Sequence, residues 1–206
     1  IDNGMIVACS TCEGRGKLEG DTKLLRYLWT HKHLSPFEMA GMTIEVQAPI
    51  FVFREWHRHR TQSYNELSAR YTELPNLFYV PSIERLMAGR QSGKNKQGSE
   101  QGFTLEQAVR IRQDMEASVS IARTEYDTLL SMGLSRELAR LVIPVSQYSR
   151  MRASANLRNM LGFLSLRLDP SAQYEIRLYA EAVASIARDI FPRTMALFDE
   201  ERNAQS

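Results

Sequence analysis

The sequence predicts an α+β fold, a small antiparallel sheet packed with long helices in a single domain. Three observations carry that prediction. From residue 104 onward apolar side chains recur at helical spacing, whereas residues 42–47 alternate apolar and polar as a half-buried strand does. The length of 206 residues, 43% of them hydrophobic, is enough to bury one substantial core.

Each element has its own signal. Residues 21–31 read as a short amphipathic helix with Leu24, Leu25 and Leu28 on one side. The β-branched run around Thr43, Ile44 and Val46 reads as the strand. Pro49 then starts a helix, with Ile50, Phe51, Val52 and Phe53 as its buried beginning and a basic run as its functional end. Residues 61–71 read as irregular, held by Ser63, Asn65 and Ser68 bonding to backbone. Residues 88–102 are polar, glycine-punctuated and free of large apolar groups, which predicts a surface loop.

Thr104 and Gln107 spell a capping box. The helix they open carries Ala108, Ile111, Met115, Val119, Ala122, Tyr126 and Leu129 at helical spacing as far as Met132, with Gly133 as its stop. Ser135 caps a shorter helix that Pro144 ends, and residues 156–167 form another. Asp169 and Pro170 open the last long helix, whose stripe is Ile176, Tyr179, Val183, Ile186 and Ile190. There is no internal repeat.

The chemistry concentrates in one place. Arg54, Arg58, Arg60 and Arg70 with His57 and His59 crowd into residues 54–70, in a chain whose net charge is only +2. Like charges packed together are best tolerated around an anion. Ser63, Asn65 and Ser68 add neutral donors and Glu66 an acceptor, a mixture suited to a phosphorylated heterocycle. Two rival readings remain. The His-x-His pairs, 31/33 and 57/59, would share a face if they lay in strands and could then hold a metal, although Arg58 and Arg60 oppose a dication. Trp56, Tyr64 and Tyr71 beside the arginines could stack RNA bases, against which stand Glu55, Glu66 and the low net charge. Cys9 and Cys12 begin a CxxCxGxG pattern, but one copy supplies two of the four ligands a structural zinc wants, so reduced thiols are expected. No run is long enough to span a bilayer and no signal peptide is evident, so the expectation is a soluble cytoplasmic protein with no membrane, metal or nucleic-acid partner.

The run Arg58-His59-Arg60-Thr61-Gln62-Ser63-Tyr64-Asn65-Glu66-Leu67-Ser68 resembles the Arg-His-Arg-x7-Ser signature of the flavin-dependent thymidylate synthases. The similarity extends along most of the chain. His31, His33, Ser35 and Glu38 resemble the family's stretch ahead of the first strand. Arg136, Glu137 and Arg140 resemble its helix ending in proline, and Asn156, Leu157, Arg158 and Arg167 its later ligand-binding helix. The resemblance implies reductive methylation of dUMP to dTMP, with methylenetetrahydrofolate as carbon donor, NADPH as reductant and FAD as hydride carrier. It also implies an obligate homo-oligomer, a homotetramer whose sites are assembled from several subunits.

Residue roles follow from the same resemblance. Ser10, Ser35, Arg58, His59, Arg60, Thr61, Glu66, Asn156, Leu157, Arg158 and Gly162 would contact FAD. Some members carry an asparagine where Gly162 stands, so that bond is absent here or comes from backbone. Glu55, Trp56, His57, Arg58, Glu66, Leu67, Ser68, Ala69, Arg70, Arg140 and Arg167 would contact dUMP. Arg70 and Arg140 would hold the phosphate, since a guanidinium fork binds phosphate bidentately. Arg167 would be the catalytic residue, a fixed cation favouring loss of the uracil N3 proton and enriching C5. Ser68 needs an adjacent base to act as a nucleophile. The arginines around His59 favour a neutral imidazole, and Ser68 is therefore expected to bind substrate, with no enzyme nucleophile. No GxGxxG follows a strand, so the flavin site is not a Rossmann crevice.

Overall fold

The computed structural model describes residues 18–91, 99–100 and 102–205. Ser10, Cys9 and Cys12, and residues 92–98 of the glycine-rich loop, lie outside them. The elements in order are α1 (Leu18–Thr30), a 3-10 turn (Ser35–Glu38), β1 (Gly41–Pro49), α2 (Ile50–Trp56), β2 (Ser63–Glu66), α3 (Ile83–Met87), β3 (Arg90–Gln91) and β4 (Ser99–Glu100). There follow α4 (Leu105–Ser131), α5 (Arg136–Ala139), a 3-10 turn (Arg140–Val142), β5 (Tyr148–Asn156), α6 (Leu157–Arg167), α7 (Tyr174–Ile190) and α8 (Pro192–Gln205).

The main sheet has three strands in the order β1-β5-β2. Thr43 donates to Ser154 and Glu45 pairs with Arg152, so numbers rise on β1 as they fall on β5 and the pair is antiparallel. The predicted strand is β1. The strand at its centre, β5, buries Ser149, Met151, Ala153 and Ala155 in alternation with the exposed Arg150, Arg152 and Ser154. Small residues suit close packing yet have little β-propensity of their own. Residues 63–66, expected to be irregular, are a strand beside β5; the Leu67 N–H donates to the Arg150 carbonyl at 2.8 Å.

The described residues group into two compact units, and neither is a contiguous stretch that a linker could separate. The first holds residues up to Thr43, His59–Ser63 and everything from Ser154 on. In it α6 packs on α7, α7 on α8, and α8 on α1. Its core is built from Phe163, Leu164, Ile176, Val183, Met195 and Phe198. The α7 stripe is Ile176, Ala180, Val183, Ala184 and Ala187, while Ile186 is exposed. The helix expected to open at Asp169 and Pro170 begins instead at Tyr174, and proline at the first position of α8 starts a further helix after it. A bidentate pair of Arg26 with Glu200 (2.7 and 3.1 Å) joins α1 to α8, and that bond holds the Glu200 carboxyl below its ordinary range.

At the end of α1 the chain turns in a Schellman motif, with His33 N–H donating to Leu28 O (2.9 Å) and Lys32 N–H to Trp29 O (3.1 Å). Lys32 takes φ 57°, a left-handed conformation that costs a residue with a β-carbon about 1 kcal/mol.

The second unit holds Ile44–Arg58 and Tyr64–Ala153. Val52, Phe53 and Trp56 of α2 are buried at 1% exposure or less, as are Tyr126 and Met151, and Leu74 is buried too. The buried Gln147 donates to the carbonyls of Pro75 (2.6 Å) and Leu77 (3.0 Å), tying down the segment after the basic run. The long helix is α4, opened by the capping box of Thr104 and Gln107, which contributes about 1 kcal/mol. Gly133 follows it at φ 85°, as a left-handed stop requires. Ser135 stands at the N-cap of α5 without a side-chain bond. Among the described residues no helix is long and apolar enough to cross a membrane.

Candidate active site

In the first unit a cavity of about 500 Å³ opens among α1, α6, α8 and the turn at residues 59–61. Of the residues expected to contact the flavin, His59, Thr61, Arg158 and Gly162 line it. Two elements place them, α6 and the 59–61 turn. The Asn156 carboxamide oxygen accepts from Asn159 N–H (2.9 Å) and so starts α6, which carries the other residues of this wall. Asn159 Nδ2 then donates to Thr61 O (3.1 Å), which holds the 59–61 turn against the helix. Arg158 is held in an ion pair with Glu38 of the first 3-10 turn.

At the end of α6, Arg167 Nε donates to His59 Nε2 at 2.9 Å. An arginine only donates, so Nε2 carries the lone pair and the imidazole proton sits on Nδ1. The His59 ring also packs edge-on against Phe163, with centroids 4.9 Å apart. The helix thus orients the imidazole through both a polar and an apolar contact, and the imidazole orients the guanidinium in return.

Ser35, Arg60, Asn156 and Leu157 belong to the same unit but are not part of the cavity wall. Leu157 is 2% exposed and serves the core. Other walls were not anticipated from sequence: Trp29, Lys32, Leu34 and Phe37 from the end of α1 and the turn after it, and Phe198, Glu201 and Arg202 from α8. They carry no motif, and an unbroken helical spacing hides which face meets a ligand. Among the lining residues three cations, Lys32, Arg158 and Arg202, face a single carboxylate, Glu201. Aromatic and aliphatic groups form the rest. A β-carbon built at Gly162 would meet nothing within 4 Å, so this position opens into space. The donor set fits an anionic ligand with a planar, largely apolar body.

The second unit carries the remaining predicted residues. Trp56 is 0% exposed; its side chain is core, and its carbonyl accepts from the Tyr64 hydroxyl at 3.0 Å. Ala69 is also buried. His57 caps the end of α2, with Nε2 3.1 Å from Met151 Sδ and its ring edge-on to Tyr64 at 4.7 Å. Glu55 is half-buried, while Arg58 and Glu66 are exposed and Leu67 is half-buried. The Ser68 hydroxyl accepts from Arg70 N–H (3.4 Å), and Arg70 Nε pairs with Glu137 at 2.8 Å. Arg140 starts the second 3-10 turn, half-buried. The two His-x-His pairs follow the ends of α1 and α2 and neither lies in a strand, which removes the premise of the metal reading.

Burial pushes the Tyr64 phenol from 10.0 up to about 12. The unfolded chain ionises near pH 10 while the folded phenol keeps its proton, so this stability is complete below pH 10 and is lost as pH rises through 12. Unfolding midpoints measured from pH 8 to 12 should fall less steeply for Tyr64→Phe than for the wild type; parallel curves would refute the assignment.

Residues 3–193 match the family model described as thymidylate synthase complementing protein. The chain is 39% identical over 206 residues to a flavin-dependent thymidylate synthase of Gluconobacter oxydans, covering 98% of this chain and 67% of that one. It is 42% identical over 188 residues to one from Thermus thermophilus, covering 91% and 67%. A solved UMP/dUMP methylase, PolB of Streptomyces cacaoi bound with 5-Br UMP, superposes with a TM-score of 0.79 at 38% identity, over 88% of this chain and 83% of its own. The match across nearly the whole chain, in sequence and in fold, assigns the protein to the thymidylate synthase complementing protein family, that of the flavin-dependent thymidylate synthases.

Proposed function

We propose that this enzyme reductively methylates dUMP to dTMP, taking carbon from methylenetetrahydrofolate and electrons from NADPH. The observation that carries the reading is the Arg167–His59 hydrogen bond, which ties the Arg-His-Arg segment to the end of α6 beside a cation-lined cavity. FAD, when bound, supplies the hydride carrier between NADPH and the new methyl group. His59, Thr61 and Arg158 would hold it from the cavity wall, with Ser35, Arg60 and Asn156 of the same unit contributing around it.

Arg70 and Arg140 grip the dUMP phosphate. Arg70 already holds a carboxylate, Glu137, in the geometry a phosphate oxygen would take. Ser68 binds the substrate; a hydroxyl that accepts a backbone hydrogen bond is a poorer nucleophile, which agrees with attack by an activated uracil. A stable covalent adduct of dUMP with Ser68 would contradict this. Arg167 stabilises the uracil anion formed on loss of the N3 proton. His59 fixes the guanidinium, so little reorganisation is needed as charge develops.

The chain acts as a homotetramer whose subunits together supply each site. Support comes from α4, where Ala108 and Tyr126 are buried while Ile111, Met115 and Val119 line an open groove with Tyr79. Sedimentation giving a single-chain mass would dismiss that assembly. The test of the function is the visible spectrum of purified protein with FAD, before and after dUMP. A bound oxidised-flavin spectrum perturbed by dUMP, followed by tritium release from C5-labelled dUMP, is the expected result. No flavin binding would rule the reading out.

A further inference from the structure

Lys32 stands in a backbone conformation that its own β-carbon disfavours. Among the described residues it is the only non-glycine one with positive φ, at the position of a Schellman turn where glycine is preferred. The turn's backbone would be better served by a glycine. The side chain reaches α8, with Nζ 2.6 Å from Glu201 Oε1 and 5.3 Å from the centre of the Trp29 ring. That ion pair is 57% exposed on the lysine side, and exposed pairs contribute little to stability, so it does not account for holding a lysine in this turn.

What the conformation does achieve is position. Lys32, Glu201 and Trp29 all line the cavity, and Arg158 and Arg202 bring the same sign of charge to it. We propose that Lys32 is an anion-binding residue of this cavity, whose ammonium exchanges Glu201 for a phosphate of the bound dinucleotide. Glu201 is its resting counter-ion. A phosphate offers more negative charge and more acceptor oxygens than a carboxylate, and it brings that charge to a wall carrying Lys32, Arg158 and Arg202. The proposal rests on the reading of the cavity as the FAD site.

The test uses the full-length flavin-free chain and its Lys32→Gly variant. FAD and riboflavin, which lacks phosphate, are titrated by flavin fluorescence, and thermal unfolding is followed without ligand. Lys32→Gly should melt at the same temperature as the wild type or higher, because glycine relieves the turn. Its FAD Kd should rise roughly tenfold and depend less steeply on salt. Riboflavin affinity should stay the same, and Lys32→Arg should restore most FAD binding. A variant that melts lower and binds FAD as the wild type does would overturn the proposal, as would an equal loss for riboflavin. Failure of the wild type itself to bind FAD would instead overturn the flavin reading of the cavity, and this inference with it.

Discussion

Arg167→Ala is expected to lower turnover by roughly 10²- to 10³-fold, the usual cost of removing one preorganised electrostatic stabiliser. FAD affinity should change little, because Arg167 is not part of the cavity wall. The pair of measurements is tritium release from C5-labelled dUMP and flavin absorbance titration. Arg167→Lys should recover only part of the rate, since an ammonium keeps the charge but loses the planar fork that donates to His59 Nε2. Turnover that survives Arg167→Ala would remove uracil activation by this residue from the mechanism. Loss of FAD binding with turnover would place the arginine in flavin binding, acting through His59.

Trp56→Ala should destabilise the protein by about 3–5 kcal/mol, the range for emptying a buried aromatic site. Trp56 is 0% exposed beside Val52 and Phe53, and its carbonyl holds the Tyr64 hydroxyl. The resemblance alone would cast Trp56 as a substrate contact, in which case its loss would raise the dUMP KM of a stable enzyme. The structure gives the opposite expectation: urea unfolding shifts strongly, while Trp56→Phe folds and keeps its KM. A stable Trp56→Ala protein with only a raised KM would show that the side chain meets dUMP.

These two residues show how differently sequence speaks about a site and about its surroundings. The resemblance singles out Arg167 because it ends a helix matched to a family motif; its hydrogen bond to His59 joins residues 108 positions apart and no spacing encodes it. Trp56 sits in a basic run that suggests binding, and its burial on the inward face of α2 is a tertiary fact that the run does not carry.

The amino-acid sequence by itself determined the local and the chemical features. The capping box and stripe of α4, the glycine stop at 133, the alternation of β1 and the proline start of α2 are all short-range physics, set by neighbours three or four residues away. The concentration of arginine and histidine in residues 54–70 is equally local. Tertiary structure alone decided the rest. It made 148–156 the central strand of the sheet, because a partner on each side supplies the hydrogen bonds that the weak β-propensity of its alanines, serines and Asn156 does not. It brought Arg202 and Glu201 of α8 to the same cavity as Lys32. Those placements depend on long-range packing, in which distant residues meet only after the chain has folded, and for that reason no window of sequence contains them.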